Sequence, residues 1–475
     1  MKTLLKFTFI GLLLWCNIAS GQQNTIKTNI SEVYELANII LAITPYGTND
    51  PYEVNKESQY YKEVISYFKQ YSNHPLISKV NYSRKEWDKY LSFRTDSYGF
   101  VFDANSDIKR INKLRAIDTL NQFEENLELI KDFAEKSKFR QFFSDHKSYY
   151  DKLIATYNKS QMLNEVIQFL TDEFGSPQTN SEYHIVLSPL VGRMNCMREV
   201  NRVPTNFVTV PDWVIALKSP NEIPRDEFAE NIHMLFTEVD HFFVNAATDK
   251  YKQIAAADFI PAKWDFGSGY ERYDLATFNE YMTWAVYDIF TYKYFPEAAQ
   301  KVCQNWILQN SSRGFYASSI FNKKLKQLYD KRKDDQKLKD LYPSFLEWCG
   351  QQQVSNSYPV IKTCSMKDKE LTETAHAKYE IAFSEPMQRR DSIDIVVTTD
   401  KPNSPIKNIT LTKRNNHMNW DNFGEHLTFE LDLENNCTNK IMFNRWGADR
   451  ILISKKGITL ETYSAFKTKV NVKQM

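Results

Sequence analysis

The sequence predicts an α+β chain in two parts, mostly helical first and all-β last. Three observations carry this. From Asn29 to Cys349 apolar residues recur mainly at helical spacing, interrupted by two short runs with strand character. From Tyr379 onward the period changes to two. Between these textures Gly350 to Pro359, with its Gln, Ser and Asn content, reads as a linker. The expected division is a leader at 1–21, a helical part at 22–349, a linker at 350–358 and a β-sandwich at 359–475. A cut in the linker is expected to release two folded pieces, because period and composition both change there.

Taken in order, the leader has the parts of a secretory signal peptide. Lys2 and Lys6 supply the basic region, Phe7 to Trp15 the apolar run, and Ala19-Ser20-Gly21 a small-residue cleavage site. The bulky Trp15 before Cys16 argues against a lipid anchor, so a secreted or periplasmic protein is expected. Asn29 and Glu32 can form a capping box ahead of Val33, Leu36, Ala37 and Ile40. Pro45 and Gly47 stop that helix. Tyr61, Val64 or Ile65, and Phe68 mark a second helix, and Phe123, Leu127 and Ile130 another. Tyr149 to Phe174 reads as one helical stretch closed by Gly175. Tyr183 to Leu187 reads as a strand ended by Ser188-Pro189, with a second strand at Asn206 to Val210. His184 is read as an ordinary half-buried histidine on a sheet face. Helices follow at Asp226 to Tyr251, at Ala276 to Phe295, and between Asn305 and Cys349. In the last part Tyr379, Ile381 and Phe383, then Ile393, Ile395 and Val397, then Ile409 and Leu411, then Leu427, Phe429 and Leu431 alternate. Short strands in this pattern predict a sandwich of about 100 residues.

Composition removes several function classes. Net charge is +1 with interspersed signs, which gives no electrostatic case for nucleic acid or an anionic membrane. Beyond the leader no stretch is apolar and long enough to cross a bilayer. Cys196, Cys303, Cys349, Cys364 and Cys437 are too few and too scattered for a disulfide framework or a metal knuckle.

The chemistry concentrates on two helices. In Asp226 to Tyr251, Phe228, Ile232, Leu235, Val239 and Phe242 form an apolar stripe, and Thr237, Glu238 and His241 lie off it on a shared face. A helix with H-E-x-x-H on such a face binds zinc through both histidines, with the Glu as general base. Here Thr237 stands at the first His position. His233 lies roughly 12 Å from His241 along the axis, too far to share an ion. Asp240 projects about 100° away from His241. In Ala276 to Phe295 the whole circumference is nearly apolar, and Glu280 is the only charged residue between Asp274 and Asp288. A lone carboxylate there needs a partner.

Ser188-Pro189-Leu190, Thr237 to Asn245, and Asn279-Glu280 through Ala285 together look like a family of secreted bacterial proteins called domain of unknown function 4932. Val33 to Leu41 and Tyr60 to Pro75 fit the family's opening region, so the resemblance spans Asn29 to Leu341. That family resembles gluzincin metallopeptidases. The resemblance implies a zincin-like helical domain with Glu238 as general base, His241 and Glu280 as zinc ligands, and Thr237 at a lost ligand position. Trp284 replaces the arginine that the family carries after its glutamate ligand. Phe383-Ser384-Glu385-Pro386-Met387 resembles bacterial immunoglobulin-like modules, which commonly position a partner domain. The leading expectation is a degenerate, non-hydrolytic site retained to bind a peptide or protein, with zinc as the cofactor of a functional version. The alternatives are a zinc-dependent hydrolase with an unusual ligand set, and an adhesin or carbohydrate-associated surface protein.

Overall fold

A computed structural model of the chain describes residues 25–49, 53–112, 120–175, 182–192, 194–201, 203–272, 275–352, 354, 357–401, 406–445, 448 and 450–472. The expected leader at 1–21, Cys16 included, lies outside the described residues.

The first part combines many helices with one four-stranded sheet. Strand β1 (Thr25–Asn29) leads into α1 (Glu32–Ala42). Every residue of α1 after Glu32 is buried, so this helix is core on all sides. The expected Asn29–Glu32 capping box is absent. Asn29 is instead the last residue of β1 and donates to the Tyr98 hydroxyl, while Ser31 holds the cap position. β1 went unread because Thr25-Ile26-Lys27-Thr28-Asn29 is short and mostly polar.

The stretch expected to be one helix from Tyr149 to Phe174 is two, α2 (Lys147–Ser160) and α3 (Leu163–Phe174). Met162 breaks it with φ of 46°, a left-handed turn that no Gly or Pro announces. Gly175 does close α3, with φ of 83° and its N–H on the Thr171 carbonyl. Strands β2 (Glu182–Val186), β3 (Cys196–Val200) and β4 (Val203–Phe207) complete the sheet in the order β1-β2-β4-β3. The first three strands of that order run parallel, and β3 runs antiparallel to β4 at the edge. β4 begins three residues before the expected Asn206, since Val208 and Val210 are buried in the following loop rather than paired as strand.

Helix α4 (Arg225–Lys250) carries Asp226 and Glu227 in its first turn and Lys250 in its last, complementing the helix dipole. Its stripe of Phe228, Ile232, Leu235 and Val239 is buried. Phe236 packs on Tyr287 and Phe290 of α5 (Ala276–Tyr294), with ring centroids 5.4 and 5.0 Å apart. Each such buried side chain contributes about 1.5–3 kcal/mol. Tyr287 ties the pair by donating to the Ala229 carbonyl at 2.7 Å. Helices α6 (Ala299–Ser312), α7 (Ser318–Asp330) and α8 (Leu338–Gln351) close the first part.

The expected linker starts too early, because Gly350 and Gln351 belong to α8. A Cβ on Gly350 would lie 3.1–3.3 Å from Asp258 atoms, so glycine here permits close approach and not a turn. After it come β5 (Ile361–Cys364), β6 (Lys369–Leu371), β7 (His376–Phe383), β8 (Ser392–Thr399), β9 (Lys407–Thr412), β10 (Asn419–Trp420), β11 (His426–Asp432), β12 (Cys437–Phe443) and β13 (Ala465–Val470). They form two sheets, β9-β8-β12-β13-β6 and β10-β11-β7-β5. Both sheets feed one core, where Tyr379 stacks on Phe429 at 5.0 Å and meets Phe466 at 5.3 Å.

The two parts also touch. Leu308 of α6 packs with Ala448 and Ile451, Gln304 donates to the Ala448 carbonyl, and Thr459 meets Ser311. No described helix is long and apolar enough to cross a membrane. Cys196, Cys303, Cys349, Cys364 and Cys437 are all free among the described residues.

Candidate functional site

Helices α4 and α5 bring His241 and Glu280 together, with His241 Nε2 3.3 Å from Glu280 Oε1. Neither is sealed from water, their side chains being 19% and 12% exposed. Burial opposes a charge on His241, but the hydrogen bond to Glu280 and the fields of Glu280, Glu238 and Asp240 win and raise its pKa to about 10. Burial likewise opposes ionisation of Glu280, and the same bond with the Arg313 field holds its pKa below the usual value. The two form a charged pair on the helix–helix seam.

Glu238 stands half-buried one turn before His241. Burial lifts its pKa to about 7, with Glu280 adding to the rise and His241, Arg198 and Arg313 opposing it. That is the range in which a carboxyl exchanges protons at neutral pH.

Thr237 is nearly buried, and its hydroxyl donates back to the His233 carbonyl at 3.1 Å. It therefore spends its proton on its own helix. His233 sits elsewhere, stacked on Trp306 with centroids 3.5 Å apart and edge-on to Tyr287. Burial keeps its pKa well below normal, and neither ring nitrogen has a partner among the described residues. Asp240 is fully buried, and burial drives its pKa up strongly against the opposing field of His241. His184 pairs with Glu182 at 2.8 Å on β2 and takes no part in the site.

Two donors of one tetrahedral zinc, each about 2.0–2.1 Å from the ion, lie about 3.3 Å apart. His241 and Glu280 have that separation. A catalytic zinc takes three protein ligands, however, and Thr237 offers a neutral hydroxyl already engaged. Among the described residues no three His, Cys, Asp or Glu side chains converge to hold a metal. The donor set present does not fit a catalytic zinc.

Two arginines escaped the sequence reading. Arg198 projects from edge strand β3, and Arg313 follows α6; both act on Glu238 through their charge. Arg313 lies 5.3 Å above the ring of Trp284, which is on α5 one turn beyond Glu280. Trp284 in turn packs edge-on against Phe315 at 4.5 Å. So Trp284 supports an arginine from a later segment. Both come from segments with no motif, and a stacked arginine leaves no spacing to read.

No model of a known protein family matches the chain, and a search of curated proteins finds no relative.

Proposed function

We infer that the chain is a secreted gluzincin metallopeptidase-like protein with a degenerate zinc site, related to the domain of unknown function 4932 family. Its cleft binds a peptide or protein segment without cutting it, and an immunoglobulin-like module follows. The observation that carries this reading is the convergence of His241 and Glu280 from two helices while Thr237 turns its hydroxyl onto the helix backbone. Two parts of a three-ligand constellation stand in register, and the third is chemically wrong.

The test is zinc titration of the natural protein and of Thr237→His at neutral pH, where a displaced proton also reports binding. The natural chain should bind zinc weakly, and the variant, with imidazoles at i and i+4, at least tenfold more tightly. Zinc in neither form removes the site assignment. Tight stoichiometric zinc in the natural protein favours a second reading, a working metallohydrolase with Glu238 as general base. That reading draws on the Glu238 pKa near 7.

A further inference from the structure

A separate cavity of about 380 Å³ opens between α6 and α7 where the helical part meets the β part. Its volume falls within the range of small-molecule sites. His241, Glu280 and Glu238 do not line it.

The two helices give this cavity a direction. α6 runs toward the β part, where Gln304 donates to the Ala448 carbonyl and Leu308 packs on Ile451. α7 starts at the β part, with the Ser319 hydroxyl on the Gly457 carbonyl, and runs away from it. The near end is therefore apolar, lined by Ile307, Ile451 and Ile453. Toward the far end come Gln300 of α6 and Lys323, Lys326 and Gln327 of α7.

That far end is rich in accessible donors. Gln300, Lys323 and Gln327 are exposed, and their side chains have no partner among the described residues. Two other charged groups neutralise each other, Lys326 pairing with Asp330 at 2.7 Å. Asp288 lies beneath the cavity, 4% exposed, with Asn322 donating to its carboxyl at 2.7 Å. Burial raises the Asp288 pKa to about 7, so at pH 6 it is held mainly neutral. The charge left over is the Lys323 ammonium.

We propose that this cavity binds a small organic acid, a carboxylate on a short branched apolar chain. The carboxylate goes to the Lys323 ammonium and the amide N–H groups of Gln300 and Gln327, and the chain lies against Ile307, Ile451 and Ile453. A carboxylate suits these donors better than a neutral oxygen does, because charge-assisted bonds are roughly twice as strong as neutral ones. The isoleucines reward the apolar chain by taking it out of water.

The experiment uses the full chain at pH 6 with 4-methylpentanoate as probe, followed by calorimetry and thermal shift. An ordinary carboxyl is ionised at that pH. Binding in about the millimolar range is expected for so small a ligand, with a rise in Tm. Acetate, which lacks the chain, and 4-methylpentanamide, which lacks the charge, should each bind at least about tenfold more weakly. Lys323→Glu reverses an exposed charge and should weaken 4-methylpentanoate at least about tenfold. Ile453→Trp fills the apolar end and should abolish binding with Lys323 intact. Equal binding of the amide, undiminished affinity in either folded variant, or no binding to the natural chain in the millimolar range would each overturn the proposal.

Discussion

Glu35 is a carboxylic acid with no exposure to water, set inside α1 and bonded to the Tyr60 hydroxyl at 2.8 Å. Burial raises its pKa from 4.5 to about 7, with the bonds to Ser188 and Tyr60 and the Arg94 charge opposing. Below pH 4.5 the folded and unfolded chains both hold the proton. Between 4.5 and 7 only the folded chain does, so stability falls as pH rises through that window, by about 3 kcal/mol in all. Glu35→Gln removes the titration and should remove this slope. The expected result is a variant more stable than the natural protein at pH 8 and little changed at pH 4, read from denaturant midpoints. Single residues were also where the sequence spoke unevenly. Glu238 and His241 were legible because three residues of helix put them on one face, and Glu280 because a lone charge in an apolar helix stands out. Nothing in the sequence marked Arg313 or the buried state of Asp240, since both depend on which distant segments fold over them.

At the scale of elements, the turn after α6 fixes Arg313. Gly314 has φ of 107°, and the Phe266 N–H bonds to its carbonyl at 2.8 Å. A Cβ there would lie 2.6 Å from the Ser268 nitrogen. Gly314→Ala should therefore destabilise the protein by about 2–4 kcal/mol, through backbone strain and a clash with backbone that cannot rotate away. Chemical denaturation of the two forms checks this. The longest helices were legible, because long apolar stripes leave little choice of period, but Trp87–Asp96, Phe139–Asp145 and Lys252–Asp258 went unread. Boundaries were not legible either. The break at Met162 and the continuation of α8 through Gly350 both run against local preference: a left-handed Met, and a helical Gly where a side chain would crowd Asp258. Tertiary packing decided each, and neighbours in sequence could not report it.

Across the whole molecule the two parts have their own cores, yet the junction couples them. Ile451 is 1% exposed and packs on Leu308, and Ile458 joins the core of the helical part. Ile451→Asp should bury an uncompensated charge at this contact. Calorimetry should then resolve two transitions where the natural chain gives one, with the helical part still folded. The change of period at Tyr379 made the two parts visible in the sequence, but their contact was invisible. It is made by single residues from loops and helix faces that show no shared pattern.

The parallel pairing of β1 with β2 sets the order in which this chain can become itself during synthesis. Thr25 must meet Glu182, and among the described residues no other strand borders β1 in its sheet. Everything between them leaves the ribosome first. Until Val186 has emerged, β1 has no ladder, and Tyr34 of α1 lacks the Phe207 ring that it packs against at 5.3 Å. α1 is apolar on nearly every side, so in that interval it is sticky cargo for a holdase. The closing of such a long loop is a late, non-local event, and it makes the nascent chain slow to mature.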